Sequence, residues 1–259
     1  MFVSAHSVFP SADCFGYRGG VSDISNIVIL TGAGISAESG LATFRGPDGL
    51  WEGHRVEDVC TPQALARDPV TVHRFYDARR AALVEVRANP AHEALARLDA
   101  AWPGELLIVT QNVDDLHERA GATRMLHMHG ELLSGLCAAC DERFRWDGPM
   151  LAAPEGPFAA PACSTCGAAA IRPDIVFFGE IPYQMDRIEQ AIARADLFVS
   201  IGTSGAVYPA AGFVRTARYH GAATLELNLD PSEGSIFFDA TRLGRASELV
   251  PAWVDEVLG

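Results

Sequence analysis

NIVILTGAGISAESG, residues 26–40, decides the fold. The apolar run Ile27–Leu30 reads as a buried strand, and Gly32-x-Gly34-x-x-Ala37 after it reads as a turn feeding a helix. Glycines at such a turn let the backbone approach a pyrophosphate, and the helix start offers N–H groups and partial positive charge. The spacing matches the Ala-ending dinucleotide pattern, although a tight strand-to-helix turn without a ligand is spelled the same way. A dehydrogenase would continue with a second strand ending in Asp or Glu. FRGPDGLWEGHRVEDVCTP (44–62) follows instead and has no strand pattern, which points to a nucleotide pocket but away from ordinary hydride transfer.

Three later stretches have the same shape, a short apolar run ending in small polar residues: ELLIVTQN (105–112), ADLFVSIGTS (195–204) and ATLELNLD (223–230). Helical patterns lie between them at 90–102, 185–195 and 210–221. Strand–helix alternation implies an α/β fold, a Rossmann-like parallel sheet with helices on both faces, and its ligands bind beyond the carboxyl ends of the strands. The sheet domain is assigned to 26–45, 99–130 and 172–259. Residues 1–25 form an extension, and two inserts interrupt the alternation, a helical one at 46–98 and a cysteine-bearing one at 131–171.

The chain has 259 residues, 49% of them hydrophobic, enough for a substantial core. Its net charge of −13, with no basic patch, argues against nucleic acid as a partner. No apolar run is long enough to span a membrane, and no Lys or Arg precedes Arg18 to begin a secretory signal. A cytoplasmic location and a monomer are expected. All 20 positive side chains are Arg. A chain without Lys has no Schiff-base lysine and cannot be a phosphate-loop NTPase.

Cys137-x2-Cys140 and Cys163-x2-Cys166 form two matched pairs within thirty residues, a zinc-ribbon signature. Four thiolates close a tetrahedral shell and leave no position for water, so one structural Zn2+ is expected. LHMHGEL (126–132) holds His127 and His129, which point to opposite faces if extended. Either could be a general base near neutral pH, and the pattern alone does not choose.

These motifs occur in one order with IRPDIVFFGE (171–180), IGTSGAVYPAAGF (201–213) and ELNLD (226–230), and TQNVDDLHERAG (110–121) precedes the histidines. The combination resembles the sirtuins, NAD-dependent protein-lysine deacylases, over roughly residues 26–259. It looks closest to the bacterial desuccinylase/deacetylase class, class III. The resemblance implies an NAD domain, a small zinc-and-helix domain and an active site in the cleft between them. It selects His129 as the base. It places Gln111, Asn112 and Asp114 at the nicotinamide and ribose end of the pocket. Gly32, Ala33, Gly34, Phe44 and Arg45 fall near the phosphates and reactive ribose. Gly202, Thr203, Ser204, Asn228, Leu229 and Asp230 fall on the adenosine half, and Ala246 matches a late NAD contact. Val176, Phe178, Gly179 and Glu180 would lie along an acyl-lysine peptide added as a strand.

The implied chemistry is attack of the acyl oxygen on the ribose as nicotinamide leaves, followed by hydroxyl activation at His129. The products would be free lysine, nicotinamide and O-acyl-ADP-ribose. HRFYDARRAAL (73–83) is an amphipathic helix in which Tyr76 and Arg79, three apart, are neighbours. An arbitrary pair of this kind is an exposed face. In the desuccinylating class a Tyr-x-x-Arg lies at the base of the acyl pocket, where Arg offers a fork of donors to a carboxylate. Cys60 stands where related patterns carry a smaller Ala, a place near that pocket's wall. Two alternatives share these features, mono-ADP-ribosyl transfer and a non-enzymatic NAD or zinc interaction module. An intact His129 and the Tyr/Arg pair favour deacylation of succinyl-, malonyl- and acetyl-lysine.

Overall fold

The computed structural model describes residues 24–43, 51, 53–151 and 159–259. The expected first strand is present as β1 (Asn26–Thr31), flanked by β2 (Glu105–Thr110) on one side and β7 (Leu197–Ile201) on the other. β3 (Met125–His127) extends the sheet past β2, and β8 (Ala223–Asn228) and β9 (Ala240–Leu243) extend it past β7. The order is β3-β2-β1-β7-β8-β9, every pairing parallel. The chain reverses its winding between β1 and β7, and a doubly wound sheet opens its ligand crevice at that switch.

Alternate residues of β1 serve opposite faces. Ile27 and Ile29 pack under α5 (Pro90–Ala101) and α9 (Ala246–Leu258), whose Leu95, Leu98, Val250 and Trp253 are fully buried. Val28 and Leu30 pack under α7 (Met185–Ala193) and α8 (Phe213–Tyr219), through Ile188, Ile192, Phe213 and Val214. The period of two in the strand thus becomes a three-layer molecule. No helix among the described residues is long and apolar enough to cross a membrane.

A second body sits above the carboxyl ends of these strands. Short helices α2 (Val56–Val59) and α3 (Pro62–Arg67) lead into α4 (Pro69–Leu83). Thr61 and Asp68 cap α3 and α4, each accepting from a backbone N–H three residues on, and each is followed by a proline at the first helical position. α4 packs on an antiparallel sheet of order β5-β4-β6, made by β4 (Gly130–Cys137), β5 (Arg143–Arg145) and β6 (Ile171–Ile175). Trp51, Val59, Phe75, Tyr76, Leu132, Ile175 and Phe177 share one core, so the helical and cysteine-bearing segments form one body. Two boundaries differ from the sequence reading. Position 98 falls inside α5, whose apolar face belongs to the large sheet, and β6, which straddles the 171/172 boundary, belongs wholly to the small sheet.

Candidate active site

Gly34 after β1 and Gly202 after β7 owe their identity to backbone packing. A Cβ on Gly34 would lie 2.7 Å from the Gly202 Cα, and one on Gly202 would lie 2.5 Å from the Ile35 nitrogen. Gly202 also has φ +62, in the left-handed region. The ends of β1 and β7 therefore touch without side chains between them. The helix after the turn, α1, is only Ala33–Ala37, and the Gly34 N–H already donates to the Gly202 carbonyl at 2.8 Å. A turn this short contributes less dipole than the sequence reading expects. What it offers is an open backbone surface.

That surface borders a cavity of about 1200 Å3, larger than an ordinary small-molecule pocket. Gly32, Ala33 and Gly34 line it, together with Gly202, Thr203 and Ser204. Asn228, Leu229, Asp230 and Ala246 line one arm. The Asn228 side chain donates to the Thr203 carbonyl at 2.7 Å, tying the ends of β7 and β8 together. The Gly32-to-Ala246 wall suits an extended dinucleotide: an uncrowded backbone in the middle and polar loop residues at the end. Phe44 and Arg45 lie outside the described residues.

Gln111, Asn112 and Asp114 follow β2 and line the cavity as well. Asn112 donates to the Gly32 carbonyl at 3.1 Å and to Ser36 Oγ at 3.1 Å. Ser36 in turn donates to Asp114 at 3.1 Å, and His92 closes the network behind it at 3.4 Å from Ser36 Oγ. Burial raises the Asp114 carboxyl above its ordinary range, against the Leu116 amide and Ser36 hydroxyl that stabilise its charge. Burial pushes His92 down to about 4. Ser36 and His92 escaped the sequence reading. Ser36 is hidden in the glycine motif, and His92 reads only as part of an amphipathic helix.

The alternate histidines separate cleanly. Two consecutive carbonyls hold them: Gln111 accepts from His129 Nδ1 at 3.1 Å, and Asn112 accepts from His127 Nδ1 at 2.9 Å. A carbonyl can only accept, so Nδ1 carries the proton in each ring. His127 Nε2 meets Glu118 at 2.7 Å and donates as well. Burial opposes that imidazolium, but the bond to Glu118 and its charge outweigh it, and the pKa is raised. His129 has no such partner among the described residues; it lines the cavity, and its Nε2 is left with a lone pair. Burial holds its pKa below the ordinary imidazole value, only partly offset by the Gln111 carbonyl. One ring is braced by a carboxylate that favours its charged form, and the other is held toward the neutral form that a base requires.

The second arm of the cavity runs along α4. Arg74, Phe75, Ala78, Arg79 and Ala82 form its lining stripe, at helical spacing. The Arg79 guanidinium lies 4.3 Å from the Trp51 ring centroid and 5.5 Å from that of Phe75, cation–π contacts in a partly desolvated place. Tyr76 is completely buried behind this wall, stacked on Phe177 at 6.0 Å, and is not among the lining residues. Among the described residues its hydroxyl has no oxygen or nitrogen partner, and it neighbours the Cys60 thiol, which does line the cavity. Burial raises both groups, leaving a neutral phenol and a neutral thiol. Cys60 is thus a wall residue whose buried, neutral thiol is a poor nucleophile. Trp51, the platform under Arg79, carried no periodic signal because it comes from a loop.

Val176, Phe178, Gly179 and Glu180 border the cavity between the two bodies. The Val176 N–H donates to the His129 carbonyl at 2.9 Å, and the Phe178 N–H to the Cys60 carbonyl at 3.0 Å. This segment therefore fixes the base relative to the α4 arm. The Glu180 carboxylate is held by both Arg172 amino groups, at 2.6 and 2.8 Å, and by the Phe177 N–H at 2.7 Å. It braces the segment from within. Away from the cavity, the sulfurs of Cys137, Cys140, Cys163 and Cys166 all lie within 4.8 Å of one another. The Cys137–Cys166 and Cys140–Cys163 pairs are 3.7 and 3.8 Å apart. Zn–S bonds of about 2.3 Å in a tetrahedron place sulfurs about 3.8 Å apart, so the cluster fits Zn2+.

A family description, the Sir2 family, matches residues 32–209, which span the glycine turn, the histidines, the cysteines and the end of β7. The chain belongs to the Sir2 family. Among relatives of this Sir2 protein, the NAD-dependent protein deacylase of Caulobacter vibrioides is 53% identical over 238 residues, 91% of this chain and 98% of its own. The NAD-dependent protein deacylase SIR2rp3 of Trypanosoma brucei brucei is 53% identical over 236 residues, 90% and 94% of the two chains. A solved Sir2 homologue–NAD complex is 37% identical and superposes with a TM-score of 0.82, covering 92% of this chain and 93% of that one. A Sir2–p53 peptide–NAD+ complex is 27% identical, with a TM-score of 0.77, covering 91% and 95%. The sirtuin resemblance and the fold class read from the sequence both hold for this bacterial-type member of the family.

Proposed function

We propose that this protein removes acyl groups from protein lysines at the expense of NAD, taking succinyl and malonyl as well as acetyl groups. One observation carries the reading. A single cavity joins the open glycine backbone, the neutral base His129 and the cationic wall at Arg79. NAD, when bound, supplies an electrophilic ribose carbon with nicotinamide as leaving group. Gln111, Asn112 and Asp114 form the wall at that ribose, and their buried network with Ser36 keeps the wall rigid and water-poor. The peptide pairs along 176–180, which delivers the lysine between the two bodies. His129 Nε2 takes a proton from a ribose hydroxyl, while Nδ1–H stays on the Gln111 carbonyl and stabilises the resulting imidazolium. Arg79 receives the far end of the acyl chain and favours a carboxylate there. One water enters after nicotinamide has left and supplies the oxygen and protons that break the acyl C–N bond. The products are therefore free lysine, nicotinamide and O-acyl-ADP-ribose. The zinc held by the four cysteines is structural, and their thiolates suit a reducing compartment such as the cytoplasm.

The test is mass spectrometry of products from acyl-lysine peptides with NAD. Equimolar nicotinamide, free-lysine peptide and acyl-ADP-ribose are expected. His129→Ala is expected to lose about 10²–10⁴-fold in turnover with NAD binding retained. Nicotinamide release with the label on protein and no deacylated peptide would instead establish ADP-ribosyl transfer.

A further inference from the structure

The sequence YDARR (76–80) has two faces. Arg79 lies on the cavity side of α4, whereas Asp77 and Arg80 are turned toward β4 and the cysteine-bearing module. Arg80 is 2% exposed, and its guanidinium donates to the Leu132 carbonyl at 3.1 Å and to Asp77. Asp77 accepts further from two consecutive amides, Met150 at 2.8 Å and Leu151 at 3.0 Å. Met150 is buried in the same cluster as Cys137, Cys163 and Ile171, with its methyl close over Gly135. Each residue of the Asp77/Arg80 pair is thus anchored to the small sheet or its zinc-fitting module. Among the described residues, none between 133 and 174 lines the cavity. The module reaches the acyl arm only through what it holds.

We infer that Asp77 is a positioning residue for acyl selection, coupling the cysteine module to α4 and so fixing where Arg79 presents its guanidinium. The pair sits one helical step, about 100°, from the residues that face the acyl arm. Rotation or tilt of α4 translates directly into displacement of Arg79 from its Trp51 platform. A small displacement of a charged fork costs a carboxylate ligand far more than it costs a neutral methyl. This deepens the acyl-carboxylate reading and rests on it.

The experiment uses the zinc-loaded full chain with Asp77→Ala. Metal content, NAD binding, kinetics on acetyl- and succinyl-lysine versions of one peptide, and hydrogen exchange across α4 are measured together. The expected result is one zinc per chain and unchanged NAD affinity. The succinyl-to-acetyl ratio of kcat/KM falls about tenfold, mainly through KM, and exchange in α4 accelerates. Asp77→Asn, which keeps one acceptor oxygen, recovers part of the ratio. It also carries the comparison if Asp77→Ala fails to fold. Equal losses on both peptides, or an unchanged ratio, overturn the inference and reduce Asp77 to a stabilising contact. If the wild-type protein itself ignores the acyl carboxylate, the functional reading falls. The coupling then stands if α4 exchange accelerates in Asp77→Ala and falls if it does not.

Discussion

At the residue scale, chemistry here is assigned by hydrogen-bond partners more than by residue type. His127 and His129 have the same side chain and are held by adjacent carbonyls, yet only His127 meets a carboxylate. Because His129 is neutral below the ordinary imidazole value, the acid limb of kcat/KM is expected below pH 6.5, with activity lost as pH falls through it. A limb centred above that value would contradict the burial argument. The sign for His127 is opposite. Its raised folded pKa means the Glu118 pair stabilises fully below about pH 6.5 and ceases to do so as pH rises through the folded value. Glu118→Gln is expected to lower stability at pH 6 by no more than about 1 kcal/mol, since Glu118 is partly exposed. Thermal melts at pH 6 and pH 9 check this, and the difference between wild type and variant should shrink at the higher pH.

At the scale of elements, backbone packing at the crossing of β1 and β7 is the feature most sensitive to change. Gly202→Ala places a methyl against the Ile35 nitrogen and forces an unfavourable φ, a combined cost of about 2–4 kcal/mol, measurable by denaturant melts. A change within about 0.5 kcal/mol would show that the crossing can relax. The strands around this crossing were legible because their faces are both buried, which writes continuous apolar runs into the sequence. β3 and β9 were not, being three and four residues long and only partly buried. α9 was hidden by Pro251, a breaker signal that its buried Val250, Trp253 and Val254 override. In the site, the glycines and the cysteines were legible as local patterns, and the QNVD stretch through the family resemblance. His129 was chosen by that resemblance and not by its local pattern. The hydrogen bonds that separate His129 from His127, the burial of Tyr76 behind Cys60 and the Trp51 platform were not legible. Each depends on contacts between segments far apart in sequence.

At the scale of the whole molecule, two bodies share one cavity, and each supplies a different specificity. The large sheet presents backbone and polar loops, which the proposed function gives to the dinucleotide, while the smaller body presents an aromatic and cationic wall, which it gives to the acyl chain. Chelation of zinc should therefore impair peptide turnover while NAD binding largely persists, which calorimetry on the chelated protein can check. Since the chain has no Lys, acylation of its own lysine side chains cannot regulate it. The most direct measurement is steady-state kinetics on one peptide carrying acetyl- or succinyl-lysine, for wild type and Arg79→Met. The expected result is efficient desuccinylation that falls about ten- to hundredfold in the variant, as loss of a charged hydrogen bond implies, with acetyl turnover retained. Equal losses on both peptides, or a wild type that turns over only acetyl-lysine, would contradict the assignment of the α4 wall as a carboxylate reader.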